Sequence, residues 1–226
     1  MKGEPWTHQV APKKLHMGCG QTFLEGWINC DGSLSARLAT LPRPLLQVAR
    51  ATGLVDERTF DFIRFLRAHD VVPVDVLRRW PFADQSIDLI YTSHMIDCFA
   101  EQQIRHFFRE CLRVLKSGGA LRLAGLDLAR EVQTYLEDRD SRRLVSMISP
   151  PRSEAIGLRQ KLRDLVVPAK HYLAHHDAGS ITAMLAEVGF VDIDTLSPGH
   201  STIEGIEPVN LHQRQGESMY IEARKP

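Results

Sequence analysis

An α/β fold, a mostly parallel sheet sandwiched between helices, is what this sequence predicts, and three observations predict it. Seven short apolar runs of strand length punctuate the chain. Two clear amphipathic helices lie among them, each ahead of glycine. The first run leads at once into a glycine pair, in LHMGCGQTFLEGWINCD (15–31). Strands interleaved with helices build a parallel sheet covered on both faces. Ligands of such sheets bind beyond the carboxyl ends of the strands, near where the strand order reverses.

The elements follow in order. Lys14–Met17 and Trp27–Cys30 are the first two strands, and Gly18 to Gly26 leaves nine residues between them. A parallel crossover normally takes about a dozen, so any helix there is one or two turns at best. Residues 33–70 are helix-like, broken by Pro42 and Pro44, and lead into a third strand at Val71–Val74. The fourth is Ile87–Thr92. From Glu101 to Leu115 the residues Ile104, Phe107, Phe108, Cys111, Leu112 and Leu115 recur on one helical face. Gly118 and Gly119 are expected to stop that helix. Ala120–Ala124 is the fifth strand. Residues 129–179 are helical and polar, interrupted by Pro150, Pro151 and Pro168. After Ser180 a second amphipathic helix carries Ile181, Met184, Leu185 and Val188 inward and ends at Gly189. Val191–Leu196 and Ser218–Ala223 complete the set. Several runs do not alternate, as expected of strands covered on both sides. The reading is one domain, 1–226, with 33–70 and 129–179 as helical caps at the ligand edge.

Composition narrows the partners. The 226 residues are 43% hydrophobic and 25% charged, as in an ordinary globular protein. Lys+Arg and Asp+Glu are both 28, which disfavours a dedicated nucleic-acid binder. No run is long and apolar enough to cross a bilayer, and MKGEPWTHQVAPKKL lacks a secretory apolar core. Cys19, Cys30, Cys98 and Cys111 form no CxxC pair and suit buried thiols in the cytoplasm rather than a metal site. Within 141–170, Arg142, Arg143, Arg152, Arg159, Lys161, Arg163 and Lys170 outnumber Glu154 and Asp164. A solvated helix face is the plain reading, and a cap favouring an anionic substrate the sharper one.

Glycine at 18 and 20 lets the backbone turn sharply and approach a ligand without a Cβ between them. A dinucleotide fingerprint would put a third glycine where Phe23 stands. It would also place its acid about 20 residues on, whereas Asp31 lies 11 after Gly20. A nicotinamide cofactor is thereby disfavoured.

Leu15–Asp31 resembles the first motif of class I S-adenosylmethionine-dependent methyltransferases, in a type 11-like form with a GCG turn and a GW-x-N-x-D second strand. VPVDVLRRWPFADQSIDLIYTSHMIDCF (72–99), RVLKSGGALRLAGLDL (113–128) and GESMYIEARKP (216–226) resemble that family's later blocks, in order. Together the blocks cover about half the chain. The resemblance implies a Rossmann-like, mostly parallel seven-stranded sheet and S-adenosyl-L-methionine as cofactor. Met17, Gly18, Cys19 and Gly20 would pass beneath its amino-acid part and sulfonium. Asp31, followed by Gly32, would accept from both ribose hydroxyls, a pairing that suits a carboxylate; a turn or helix-cap acid is the alternative. Asp75 with Val76 would read the adenine edge, unless Asp75 is only a loop acid. Ser93 and His94 would lie beneath the sulfonium or at the methyl acceptor.

If the acceptor is a hydroxyl, His94 is the best-placed base; capping the next helix is its plainer role. The family's commoner V/M-L-E-H reads Met95-Ile96-Asp97-Cys98 here, so the second histidine's role has no bearer. Leu126 stands where a proline often precedes the aspartate, and Asp127 is a candidate substrate-side acid. Lys170-His171-Tyr172 with His175, His176 and Asp177 suggests a surface or cap cluster over a metal site, because His175 and His176 diverge and no third ligand is fixed. The expected activity is methyl transfer to a small molecule at oxygen or nitrogen. RNA or protein methylation, a non-catalytic cofactor binder and a homodimer remain open alternatives.

Overall fold

The computed structural model describes residues 12–148 and 175–226. Seven strands form one sheet: β1 (Lys14–Met17), β2 (Ile28–Asp31), β3 (Val72–Pro73), β4 (Ile87–Ser93), β5 (Leu115–Leu126), β6 (Val191–Leu196) and β7 (Ser218–Arg224). Their order is β3-β2-β1-β4-β5-β7-β6. The first five are parallel, and β7 runs antiparallel between β5 and β6. From β1 the chain steps outward to β2 and β3, then returns to lay β4 on the other side of β1. The order therefore reverses between β1 and β4, and the ligand crevice belongs at their carboxyl ends.

Side chains alternate across each strand, and the two faces differ in kind. One is apolar, with Leu15, Met17, Cys30, Ile90, Leu121, Leu123 and Ile221. Helices α4 (Glu101–Val114) and α7 (Ala178–Val188) cover it with Ile104, Phe107, Phe108, Ile181 and Leu185. The other carries a buried polar layer of His16, Asn29, Arg122 and Glu222, with Tyr91 and Tyr220. Leu24, Trp27, Ile203, Ile206 and Val209 close over its Leu89 and Tyr91.

The short β1–β2 connection forms no helix. Asn29 does the holding instead. Its carbonyl accepts from Leu24 N–H at 3.0 Å and meets His16 Nδ1 at 3.1 Å. Its amide donates to the carbonyls of Leu24 (2.9 Å) and Trp27 (3.1 Å). A side chain that makes four bonds in a buried place substitutes for the backbone ladder a helix would supply.

Several boundaries differ from the sequence reading, two of them with a local cause. Helix α4 ends at Val114, because Leu115 is already extended. Gly118 and Gly119 belong to the start of β5, where they exchange backbone bonds with Lys225 (both 2.9 Å). The third strand shrinks to Val72–Pro73, since Pro73 has no N–H to offer, although Val74 N–H still reaches the Asp31 carbonyl at 3.1 Å.

After β2 the chain builds α1 (Leu34–Leu38), α2 (Arg43–Ala51) and α3 (Glu57–Ala68), with a small core of Leu46, Val55 and Ile63. After β5 come α5 (Leu128–Asp138) and α6 (Ser141–Ile148). The chain enters α1 and α5 from the carboxyl ends of β2 and β5. Of the basic run, Arg152, Arg159, Lys161, Arg163 and Lys170 lie outside the described residues, as do His171 and Tyr172. No helix among the described residues is long and apolar enough to cross a membrane.

Candidate active site

A cavity of about 360 Å³ opens at the carboxyl ends of β1, β2 and β4. Its wall is built from Gly18, Asp31, Gly32, Asp75 and Val76, all expected from sequence, and from Arg37, Met95, Cys98 and Phe99, which were not. Three loops converge here because β1, β2 and β4 are neighbours in the sheet although far apart in the chain.

Two glycines are required by contact. Gly18 has φ +69°, and a Cβ there would come 2.6 Å from Met95 Sδ. At Gly32 a Cβ would lie 2.6 Å from the Val74 carbonyl oxygen, which is backbone and has little room to retreat. Both glycines let neighbouring stretches of the chain pack closely at the cavity wall.

Asp31 closes β2 and is 6% exposed. One carboxylate oxygen accepts Gly20 N–H at 3.1 Å and the other accepts Ser33 N–H at 2.8 Å. The carboxylate thus fixes both the glycine turn and the entry to α1, where Ser33 is the N-cap. A carboxylate has about four acceptor positions, two more than these bonds use, and Asp31 is on the cavity wall. Asp75 is more heavily engaged. It pairs with Arg37 at 2.8 Å and Arg78 at 3.3 Å, and accepts Leu77 N–H at 3.1 Å. Arg37 comes from the first insertion, so that insertion forms part of the wall.

The remaining expected residues lie behind the wall. Met17 is in the apolar core and Cys19 is 4% exposed. Gly20 contributes its N–H to Asp31, and Ser93 ends β4 without reaching the lining. Asp127 caps α5, accepting Ala129 N–H at 3.2 Å, and is not on the lining either.

His94 departs furthest from expectation. It has φ +48°, and its side chain is 9% exposed. Nδ1 meets Asp97 Oδ2 at 3.1 Å and Nε2 meets Ser218 Oγ at 2.9 Å. Asp97 in turn accepts Leu126 N–H at 3.2 Å. Asp97 is itself buried, and a Cβ at Gly125 would come 3.0 Å from its Oδ1. The ring ties the end of β4 to the ends of β5 and β7, with both nitrogens used and neither turned to the cavity. A base must reach the proton it takes; here both ring nitrogens are engaged and His94 is not on the cavity lining.

Burial sets the local proton affinities. It drives His16 down to about 4, against smaller opposing effects of Asn29 and the Asp31 charge, so the ring is neutral at pH 7. Burial also pushes the Cys19 thiol up to about 12, and raises Cys30 and Cys111 as well. These three are inert thiols at pH 7. Among the described residues no three His, Cys, Asp or Glu side chains converge as metal ligands. His176 instead lies beside Ser180, with Nδ1 to Oγ at 3.4 Å.

Sequence and structure comparisons bear on this site. Residues 15–123, just under half of the chain, match the family model of a methyltransferase domain. No curated protein sequence matches the chain. Among solved structures it is similar to a "possible exported protein" from Bordetella parapertussis (16% identity, 95% of this chain and 62% of that one, TM-score 0.45). It is similar to human N-acetylserotonin methyltransferase in complex with SAM (17%, 69% and 33%, TM-score 0.40). It is similar also to a SAM-dependent methyltransferase from Thermotoga maritima (17%, 95% and 82%, TM-score 0.46). The chain spans less than two thirds of the length of the first two. Residues 15–123, from β1 through most of β5, thus match a methyltransferase domain, and the strands they supply are those whose carboxyl ends form the cavity.

Proposed function

We propose that this protein transfers a methyl group from S-adenosylmethionine to a small-molecule acceptor, at oxygen or nitrogen, in the cavity at the β1–β4 switch point. The observation that carries the reading is Asp31: a buried carboxylate on the cavity wall, already fixing Gly20 and Ser33, with acceptor capacity to spare. That suits a ribose diol. Gly18 and Gly32 fit too, since both line the cavity and put no side chain into it. Asp75 and the Val76 backbone would meet the adenine. The bound cofactor supplies an activated methyl on a sulfonium. What this chain adds is position. Holding the acceptor in line and excluding water is worth about 7–11 kcal/mol in such displacements.

His94 then serves as a positioning residue. Through Asp97 and Ser218 it steadies the segment that brings Met95 and Cys98 to the wall. An acceptor that is already nucleophilic, or that sheds its proton to water, needs nothing more. The α1–α3 and α5–α6 insertions, within 33–70 and 129–179, act as the lid that favours a small acceptor over a polymer. Four thiols outside any disulfide suit the cytoplasm.

Calorimetry tests the cofactor assignment. S-adenosylmethionine and its demethylated product should bind the wild-type protein at micromolar affinity, with NADH inert. A protein indifferent to both sulfur ligands would sink the assignment. A second reading, cofactor binding without turnover, is favoured by the occupied ring of His94. A screen of metabolite extracts with labelled cofactor separates the two, because only an enzyme moves label to an acceptor.

A further inference from the structure

Arg37 is the only basic side chain on the cavity wall among the described residues. It stands on α1, a helix of five residues that is pinned at both ends. At the start, Ser33 gives its N–H to Asp31 (2.8 Å) and its hydroxyl accepts Ala36 N–H (3.3 Å). Past the end, Arg67 of α3 donates to the carbonyls of Ala39, at 2.8 Å, and of Leu41. Ala36, next to Arg37, is buried. So short a helix has little stability of its own, and these bonds stand in for it. The backbone beneath Arg37 is thus fixed in part by Asp31, the acid assigned to the ribose.

From that footing Arg37 Nη2 reaches Asp75 Oδ2 at 2.8 Å. Arg78 Nε approaches the same oxygen at 3.3 Å, and Leu77 N–H bonds to Oδ1 at 3.1 Å. A carboxylate has about four acceptor positions, two on each oxygen. Both on Oδ2 are taken and one on Oδ1, so the position left is on Oδ1. The last torsion of an aspartate is soft, and a hold on Oδ2 decides which oxygen is offered. Arg37 has the shorter contact of the two arginines, and its side chain is 56% exposed against 81% for Arg78. An ion pair this exposed adds little to stability. What it does here is orient a carboxylate on the cavity wall.

We propose that Arg37 is a positioning residue for base selection: by holding Asp75 Oδ2 it presents a single Oδ1 acceptor, which takes a 6-amino purine and turns away a 6-oxo purine. The proposal rests on the cofactor reading above, in which Asp75 meets the adenine. An exocyclic amine donates to the acceptor. A 6-oxo group sets a second acceptor against it, and unmatched polar groups of this kind are what a site rejects most strongly. A carboxylate fixed before the ligand arrives loses no freedom on binding, which sharpens the choice.

The test is titration calorimetry of the full chain with S-adenosylhomocysteine and with its 6-oxo counterpart, S-inosylhomocysteine. The wild-type protein should prefer the adenosyl compound by about tenfold or more. Arg37→Gln should narrow that preference by about threefold or more, weakening the adenosyl compound further than the inosyl one. Arg78→Gln makes the same change of charge beside the same carboxylate and should leave the preference within about twofold. Both side chains are exposed, so the thermal midpoints of the variants should stay close to wild type. Three results overturn the proposal and leave the cofactor reading standing: equal wild-type affinity for the two compounds, a preference unmoved by Arg37→Gln, or a narrowing as large in Arg78→Gln. A wild-type protein that binds neither compound ends that reading and this proposal together.

Discussion

Asp31→Asn separates the two tasks assigned to one carboxylate. The substitution keeps shape and removes one acceptor. In the wild-type protein the two oxygens take different backbone donors, Ser33 N–H at 2.8 Å and Gly20 N–H at 3.1 Å. A carboxamide satisfies only one of them. Keeping the shorter bond to Ser33 turns the amide nitrogen toward Gly20 N–H, donor against donor. A buried donor stranded in this way costs about 1–3 kcal/mol. In a chain of this size each kcal/mol moves the thermal midpoint by about 2–4 °C, so a fall of about 2–12 °C is expected in calorimetric scans. The ligand adds a second readout. Losing one charge-assisted bond to a ribose hydroxyl, worth about 1.5–3 kcal/mol, weakens S-adenosylhomocysteine by about 10–150-fold in titration calorimetry. A variant within one degree of wild type and within threefold in affinity would refute both the turn-fixing and the ribose role. A lower midpoint with unchanged affinity would leave Asp31 as a structural acid only.

Three further predictions concern the buried polar layer and the cavity wall. Glu222 accepts Arg122 Nη1 (2.6 Å), Ser201 Oγ (2.6 Å), and both Thr202 N–H (2.8 Å) and Oγ1 (2.7 Å); Glu222→Gln leaves Arg122 without its counter-charge. Breaking such a pair costs about 3–5 kcal/mol, so the midpoint should drop by about 6–20 °C, and a loss below two degrees refutes the account. Because burial holds His16 near 4 in the fold while the unfolded chain titrates at 6.5, unfolding takes up a proton as pH falls below 6.5. Stability should therefore decline by ~3 kcal/mol between pH 6.5 and 4 and gain nothing further from this group below that. Denaturant melts of His16→Gln should lack that limb; an identical pH curve would mean His16 is not a buried neutral ring. Finally, N-ethylmaleimide should label Cys98, half-buried on the cavity wall, ahead of Cys19, Cys30 and Cys111, and S-adenosylhomocysteine should protect it. Mass spectrometry that finds Cys19 modified first, or no protection, contradicts the placement of the cavity.

What the sequence determined by itself was local. The strands at 14–17, 191–196 and 218–223 declare themselves as apolar runs, the last extending one residue further in the fold, and α7 by its 3–4 spacing before Gly189, whose φ of +113° suits glycine. Gly18 and Asp31 were legible because a turn and an acid at the ends of adjacent strands must lie together. Tertiary structure alone decided which side chains meet across long stretches of chain. The β5–β7 register sets Arg122 opposite Glu222, 100 residues away. The meeting of β4, β5 and β7 encloses His94 between Asp97 and Ser218 and takes it from the cavity. Arg37 reaches Asp75 because an insertion folds back over its own strand end, and Asn29 replaces a helix because the β1–β2 loop is too short to hold one. Periodicity encodes which face of an element is buried. It carries no record of which buried neighbour a polar atom will find, since that follows from strand order and register.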